Sequence, residues 1–174
     1  YGTPELAKEI LPGVANGSIH AAFGVTEPDA GTDTTSIRTR ATRDGDEYVI
    51  HGAKVWTTKA PYCDVCLLLV RTTPKEECDG PTQGMTLLLV DLKDDAVDIT
   101  PIPKLGRNAV VSCEVRYDGL RVPVDRRVGE EGEGFRYILD GLNPERILIS
   151  GEALGIGKAA LRKAVDYAND RAVS

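Results

Sequence analysis

Strand-like segments recur along positions 19–128 at a spacing of roughly 8 to 12 residues, which is typical of an all-β domain. Apolar runs cover 19–25, 65–70 and 85–90, and each is bounded by charged or turn residues. We predict all three as buried strands. Positions 111–117 alternate between apolar and polar residues, which predicts a strand with one face in water.

A hairpin and an edge strand complete the β pattern. Strand-like residues at 37–41 and 47–50 flank Asp44 and Gly45, and Asp-Gly favours positive φ at both turn positions. Pro101 and Pro103 limit residues 99–105 to an edge or connecting strand, because proline cannot donate a ladder hydrogen bond. The pattern therefore predicts a β-sandwich or barrel.

Helical signals precede this region. Thr3 is a good N-cap, Pro4 fits the first helical position, and residues 6, 10 and 11 form an apolar stripe. Pro12 and Gly13 predict the end of this short helix.

A longer helical region follows Gly134, where the apolar period changes to about 3.6. Asn143 and Pro144 predict a break and a restart, with Asn143 as N-cap, Pro144 at the first position and Glu145 in the first turn. The second helix runs on towards Arg171, and the helical pattern reaches Ser174 without a cap. Because the sequence also starts without methionine, we expect a fragment.

Composition limits the classes of function. With 174 residues and 41% hydrophobic content, the chain can bury one core. No apolar run approaches the roughly 20 residues of a membrane helix, so no membrane span is predicted. The net charge of −6 argues against a nucleic-acid surface. Four cysteines and two histidines, with a single Cys-x-x-Cys, do not predict a metal site and fit buried thiols in a reducing compartment.

Two motifs carry chemistry. Residues 26–33 read Thr-Glu-Pro-Asp-Ala-Gly-Thr-Asp, and residues 52–58 read Gly-Ala-Lys-Val-Trp-Thr-Thr. Together they resemble the middle domain of the acyl-CoA dehydrogenase family. Further segments resemble that family in the same order, at 104–106, 122–123, 129–135, 142–146 and 167–171. An ordered set of this kind is far more specific than any single motif.

The resemblance implies an α+β fold: an all-β sandwich or barrel-like middle domain flanked by helical segments, as a fragment of a larger acyl-CoA dehydrogenase fold. Residues 1–17 would be the tail of an N-terminal helical domain. Residues 18–130 would be the β-domain that binds flavin and acyl-CoA. Residues 131–174 would be the truncated start of a C-terminal helical domain.

FAD is the cofactor that the resemblance implies. Val25 and Thr26 would contact the pyrimidine edge of the ring, Trp56 would cover it, and Thr58 would donate to its N5 and O4 side. Arg171 would contact the pyrophosphate of a neighbouring subunit's flavin. Taken singly, Trp56 fits a core residue, Thr58 a plain strand residue and Arg171 a solvated helix charge. The full predicted set is Phe23, Val25, Thr26, Gly31, Thr32, Trp56, Thr57, Thr58 and Arg171.

The implied reaction is FAD-dependent α,β-dehydrogenation of an acyl-CoA thioester to the enoyl-CoA, with hydride passing from Cβ to flavin N5. Fatty acid metabolism, electron-transferring flavoprotein as acceptor, and a homo-oligomer, either tetramer or dimer, are implied too. The location would be a bacterial cytoplasm or the mitochondrial matrix. An acyl-CoA oxidase or flavin monooxygenase on the same fold, and a non-catalytic β binding module, stay open as alternatives.

Substrate residues follow from the same resemblance. Thr32, Asn143 and Arg146 would contact acyl-CoA, although the family usually has serine at the first position and aspartate at the second. Arg107 and Asn108 also depart from its pattern, which puts the local turn in doubt. The base would be Glu145 or a residue of the C-terminal domain. The alternative for Glu145 is a first-turn glutamate that the helix dipole stabilises.

Overall fold

The structure, a computed structural model, describes residues 1–172 and divides the chain into two units, Tyr1–Tyr137 and Ile138–Ser174. The first unit contains one short helix and eight strands. The second unit contains the greater part of one long helix. The domain boundaries after residues 17 and 130 stay a prediction.

One eight-stranded sheet organises the first unit, in the order β6-β7-β3-β2-β4-β5-β8, with β1 pairing in parallel with β4. This architecture confirms the predicted α+β class. The strands are β1 Ala21–Gly24, β2 Arg40–Asp44, β3 Glu47–Thr58, β4 Val65–Arg71, β5 Met85–Asp91, β6 Val97–Pro101, β7 Ser112–Pro123 and β8 Arg127–Val128.

The core lies where inward-facing residues of these strands meet. Among its largest fully buried side chains are those of Tyr48, Ile50, Leu68, Leu88 and Leu120, which come from four strands. Along β3 and β7, most buried residues alternate with residues that are half-buried or exposed, as expected for strands with one wet face. The strands predicted at 65–70 and 85–90 are confirmed as β4 and β5.

The first strand is shorter and less buried than predicted. It spans Ala21–Gly24, and only Ala22 and Gly24 are buried, whereas Phe23 is exposed. A Cβ at Gly24 would lie 2.9 Å from Leu68 Cδ1, so the backbone of β1 approaches β4 too closely for a side chain. One face of β1 therefore packs on the core and the other stays accessible.

The predicted hairpin joins β2 to β3, with Asp44 paired to Glu47. Only Gly45 has positive φ, at 61°, so the expectation of positive φ at both turn positions is wrong. Positive φ at the first central residue alone is the signature of a type II′ turn. The edge assignment is confirmed, since β6 ends the sheet.

Helix α1 spans Pro4–Asn16, and Thr3 caps it by accepting a hydrogen bond from the Leu6 amide at 3.2 Å. Pro12 does not end this helix, contrary to the prediction. Pro12 cannot donate to the Lys8 carbonyl, and because Lys8 is exposed, water can reach that carbonyl. The helix ends instead at Gly17, which adopts the left-handed conformation.

Helix α2 spans Gly134–Asp170 without interruption and contains Pro144. The predicted break, the N-cap role of Asn143 and the first-turn position of Glu145 are therefore wrong. Pro144 has no amide hydrogen to donate to the Asp140 carbonyl, but Asp140 is exposed, so the helix can continue through the proline with water near that carbonyl. The predicted continuation to Ser174 falls partly on Val173 and Ser174, which lie outside the described residues.

Within residues 1–172, no helix combines the length and the apolar character that crossing a membrane requires.

Candidate functional site

A β-bulge in β3 positions Trp56. Lys54 pairs with Val115 and Thr57 with Cys113, so Val55 and Trp56 together oppose a single residue of β7. Trp56 has φ of 63°, which is rare for a bulky residue, and the residue is 55% exposed. The interpretation of Trp56 as a core residue is therefore wrong.

Backbone strain is concentrated around this tryptophan. The non-glycine residues with positive φ in the described part of the chain are Trp56, Lys59 and Arg107. Trp56 and Arg107 line one open cavity of about 650 Å³, and the Lys59 amide donates to the Val111 carbonyl at 2.9 Å. Because strained residues cluster at functional sites, this cluster supports a binding role for the cavity.

The left-handed backbone of Trp56 gives a testable stability difference. Trp56→Gly should unfold with a free energy about 1 kcal/mol higher than Trp56→Ala, because alanine keeps the strain at positive φ and glycine removes it. Urea unfolding of the two apoproteins measures this difference. Equal stability of the two variants would show that the backbone at position 56 leaves the left-handed region once the indole ring is removed.

The end of β1 meets the bulge. The Val55 amide donates to the Thr26 carbonyl at 2.8 Å, which places Thr26 beside Trp56 in the fold. Phe23 and Thr58 are exposed, whereas Thr57 is buried and its hydroxyl lacks a hydrogen-bond partner within residues 1–172. The structure therefore brings the predicted residues of β1 and β3 together, with Thr58 rather than Thr57 accessible.

The turn after Thr26 is tightly built. Glu27 and Ala30 exchange two backbone hydrogen bonds, of 3.0 and 3.2 Å. Asp33 then accepts from the Thr35 amide at 3.1 Å and from the Ser36 hydroxyl at 2.5 Å. Hydrogen bonds from the Ser36 and Thr35 hydroxyls lower the pKa of Asp33. Gly31 and Thr32 are exposed and lie between Ala30 and Asp33, which these hydrogen bonds hold in place.

A buried ion pair lies beneath the turn, and the sequence interpretation missed it. The Lys54 side chain is 0% exposed, and its ammonium donates to Glu27 Oε1 at 2.8 Å and to the Val25 carbonyl at 3.0 Å. The Glu27 carboxylate also accepts from the amides of Arg38 at 2.6 Å and Thr39 at 2.9 Å. Through these hydrogen bonds the pair connects β3 to Val25, before the turn, and to Arg38 and Thr39, after it.

Burial and charge shift the pKa of both partners. Burial lowers the pKa of Lys54 to about 8, although the Glu27 carboxylate opposes this shift. Burial alone would raise the pKa of Glu27, but the Lys54 ammonium and the hydrogen bonds to the carboxylate outweigh it, so the pKa is lowered. Each charge is therefore kept in the interior by the other.

Strand parity is the signal that could have revealed this pair. Tyr48, Ile50 and Lys54 occupy even positions of β3, and all three are fully buried. An inward-facing lysine requires a buried acceptor. The sequence alone does not say that Glu27 supplies it.

The remaining predicted residues lie on α2 or directly after it. Arg146 Nη1 donates to Asn143 Oδ1 at 3.2 Å, so these two side chains share one face of the helix. Glu145 is exposed. Arg171 follows the last residue of α2, and its guanidinium donates to the Tyr167 hydroxyl at 2.8 Å.

The β1–β3 site fits a planar aromatic ligand with a polar edge. Exposed Trp56 and Phe23 offer apolar ring faces, and Thr58, two positions after Trp56, offers an exposed hydroxyl. The exposed Gly31–Thr32 segment offers backbone that can approach an anion closely. These are the features that an isoalloxazine ring and a pyrophosphate require.

Comparisons with known proteins agree with this geometry. A model described as acyl-CoA dehydrogenase, middle domain, matches residues 22–120, and one described as acyl-CoA dehydrogenase, C-terminal domain, matches residues 132–174. The acyl-CoA dehydrogenase FadE26 of Mycobacterium tuberculosis is 36% identical over 170 residues, covering 98% of this chain and 42% of the relative.

Two solved structures are similar as well. A probable acyl-CoA dehydrogenase from Mycobacterium abscessus matches with a TM-score of 0.86 and 32% identity, covering 98% of this chain and 44% of that one. The steroid ACAD Tcur3481-Tcur3483 matches with a TM-score of 0.81 and 39% identity, covering 95% and 43%. The chain thus spans less than half the length of each of these relatives.

Proposed function

Because the chain belongs to the acyl-CoA dehydrogenase family, we propose that the protein carrying it is a FAD-dependent acyl-CoA dehydrogenase that converts an acyl-CoA thioester to the enoyl-CoA. The observation that carries the proposal is the β3 bulge, which turns Trp56 out of the sheet beside Thr26. Non-glycine residues held at positive φ cluster at ligand-binding and active sites, which supports a ligand at Trp56.

The residues of the β1–β3 site would hold FAD. Val25 and Thr26 would orient the pyrimidine edge, Trp56 and Phe23 would cover apolar ring surface, and the Thr58 hydroxyl would donate to the reacting edge. Gly31 and Thr32 would approach the pyrophosphate. Bound flavin supplies the hydride acceptor that these side chains cannot supply.

We assign substrate binding to Thr32 and to the hydrogen-bonded residues Asn143 and Arg146 of α2. Arg146 would contact acyl-CoA while its hydrogen bond to Asn143 fixes the guanidinium. Because the amide of Asn143 is uncharged, it does not offset the positive charge of Arg146, which suits an anionic or carbonyl contact. Glu145, the next residue before Arg146, would take up the α-proton.

Assembly and electron transfer complete the proposal. We propose a β-domain at 18–130 between helical segments 1–17 and 131–174, in a homo-oligomer. Arg171, exposed after α2, would contact the flavin of a neighbouring subunit. Electron-transferring flavoprotein would accept the electrons.

Anaerobic mixing with acyl-CoA tests the function. The protein should purify yellow with bound FAD. A suitable acyl-CoA should then bleach the flavin absorbance at about 450 nm. The panel should include short, branched, long and steroid thioesters, the last because one similar structure is a steroid ACAD.

Each other outcome is informative. A yellow protein that no thioester bleaches would refute the dehydrogenase. Rapid reoxidation of the reduced protein by oxygen would favour an oxidase or monooxygenase. If the full-length protein takes up no FAD, the alternative of a non-catalytic β binding module is favoured.

A further inference from the structure

The peptide group between Val25 and Thr26 and the peptide group that follows it are each held through the carbonyl oxygen. The first carbonyl, on Val25, accepts from the Lys54 ammonium at 3.0 Å. The next carbonyl, on Thr26, accepts from the Val55 amide at 2.8 Å. The Thr26 amide itself donates to no acceptor within residues 1–172. One peptide therefore carries a buried charge on its oxygen and a free donor on its nitrogen.

We propose that Lys54 is a positioning residue for the flavin, which acts through the Val25–Thr26 peptide by polarising it and so strengthening the Thr26 amide as a donor to the pyrimidine edge. The inference rests on the proposed function, which assigns Thr26 to that edge. A charge-assisted hydrogen bond to a carbonyl draws electron density from the attached nitrogen, and hydrogen bonds in such a chain reinforce one another. Because Lys54 is fully buried, solvent does not screen this effect.

Glu27 keeps the ammonium in place. Its carboxylate accepts from Lys54 at 2.8 Å and is itself fixed by the Arg38 and Thr39 amides. Cys66 also interacts with Lys54, but burial raises the pKa of this thiol to about 12, so it stays neutral. The charge next to the peptide is therefore that of Lys54, and Glu27 balances it.

A purely structural lysine would stabilise the fold without changing the Thr26 amide as a donor. The two roles separate in the apoprotein, because the chemical shift of the Thr26 amide reports its polarisation without any flavin. Selective labelling with ¹⁵N-threonine gives that signal. FAD affinity, from titration of the same apoprotein, gives the second readout.

Wild type provides a test that needs no substitution. As pH rises through about 8, Lys54 loses its proton, while Glu27 stays ionised and Cys66 stays protonated. The Thr26 amide shift should titrate with this midpoint. The double variant Glu27→Gln/Lys54→Met, which removes both charges and leaves no unpaired one, should show no such titration.

In FAD titrations at pH 7, the double variant should bind roughly tenfold more weakly than wild type, as a hydrogen bond loses its charge assistance. Tyr48→Phe is the matched control. It breaks the partly buried hydrogen bond from the Tyr48 hydroxyl to the Glu131 carboxylate and should leave both readouts unchanged. Tyr48 lies six residues before Lys54 in β3, which is roughly 20 Å along the strand.

A Thr26 amide that neither titrates in wild type nor shifts in the double variant overturns the proposal. So does a shifted amide with wild-type FAD affinity. If wild type itself binds no FAD, the proposed function fails and the role of Lys54 fails with it. Normal FAD binding in wild type and double variant alike refutes the role of Lys54 alone.

Discussion

Lys54→Met is expected to lower the free energy of unfolding by about 3 to 5 kcal/mol, which is the cost of leaving one charge of a buried pair without its partner. The lysine is fully buried and Glu27 nearly so, hence no water replaces the lost ammonium. The Val25 carbonyl loses its donor as well. Urea unfolding of the apoprotein measures the change.

The double variant is the control for this cost. Glu27→Gln/Lys54→Met removes both charges, so it should recover most of the lost stability. A double variant as unstable as Lys54→Met would show that packing of the lysine stem, rather than charge, decides the result.

Acid unfolding provides an independent check of the same pair. The folded-state pKa of Glu27 lies below its ordinary value of 4.5. Its stabilising contribution is therefore complete above that value and is lost as pH falls through the lower folded-state pKa. Wild type should lose stability more steeply than the double variant over this acidic range.

Local patterns predicted most of the sheet. The apolar runs that became β4 and β5 are bounded by turn residues, and the alternation at 111–117 became part of β7. The Asp44–Gly45 pair predicted the hairpin that joins β2 to β3. In each of these cases the deciding information lies within a few neighbouring residues.

Proline was the main source of error in the helices. Pro12 and Pro144 both lie inside helices that the sequence interpretation ended or restarted at them. Each proline removes one hydrogen bond, and in both cases the carbonyl concerned is on an exposed residue. The sequence shows the proline but not the exposure of the carbonyl four residues earlier.

The site itself depended on contacts between distant residues. Motif spacing located Thr26, Trp56 and Thr58, but the left-handed backbone of Trp56 results from a two-to-one pairing of β3 with β7. Likewise, Lys54 and Glu27 are 27 residues apart, and only the fold brings them into contact. Single-sequence periodicity does not contain such pairings.

The fold changes the choice between two interpretations of Glu145. Since α2 runs without interruption from Gly134, Glu145 lies eleven residues into the helix, far beyond the first turn in which a helix dipole stabilises a carboxylate. The first-turn alternative is therefore wrong. Glu145 and Ile149 are one turn apart, so an exposed carboxylate and an exposed apolar side chain share a helix face.

Glu145→Gln should slow flavin reduction by acyl-CoA about 10²- to 10⁴-fold while leaving acyl-CoA affinity close to wild type, because the amide keeps the shape of the side chain and loses only the ability to take a proton. Anaerobic stopped-flow reduction gives the rate, and spectral titration with a non-reducing thioester gives the affinity. Glu152→Gln is the matched control, since Glu152 lies two turns further along the same helix face and should keep the wild-type rate. Near-normal reduction in Glu145→Gln would place the base elsewhere in the protein.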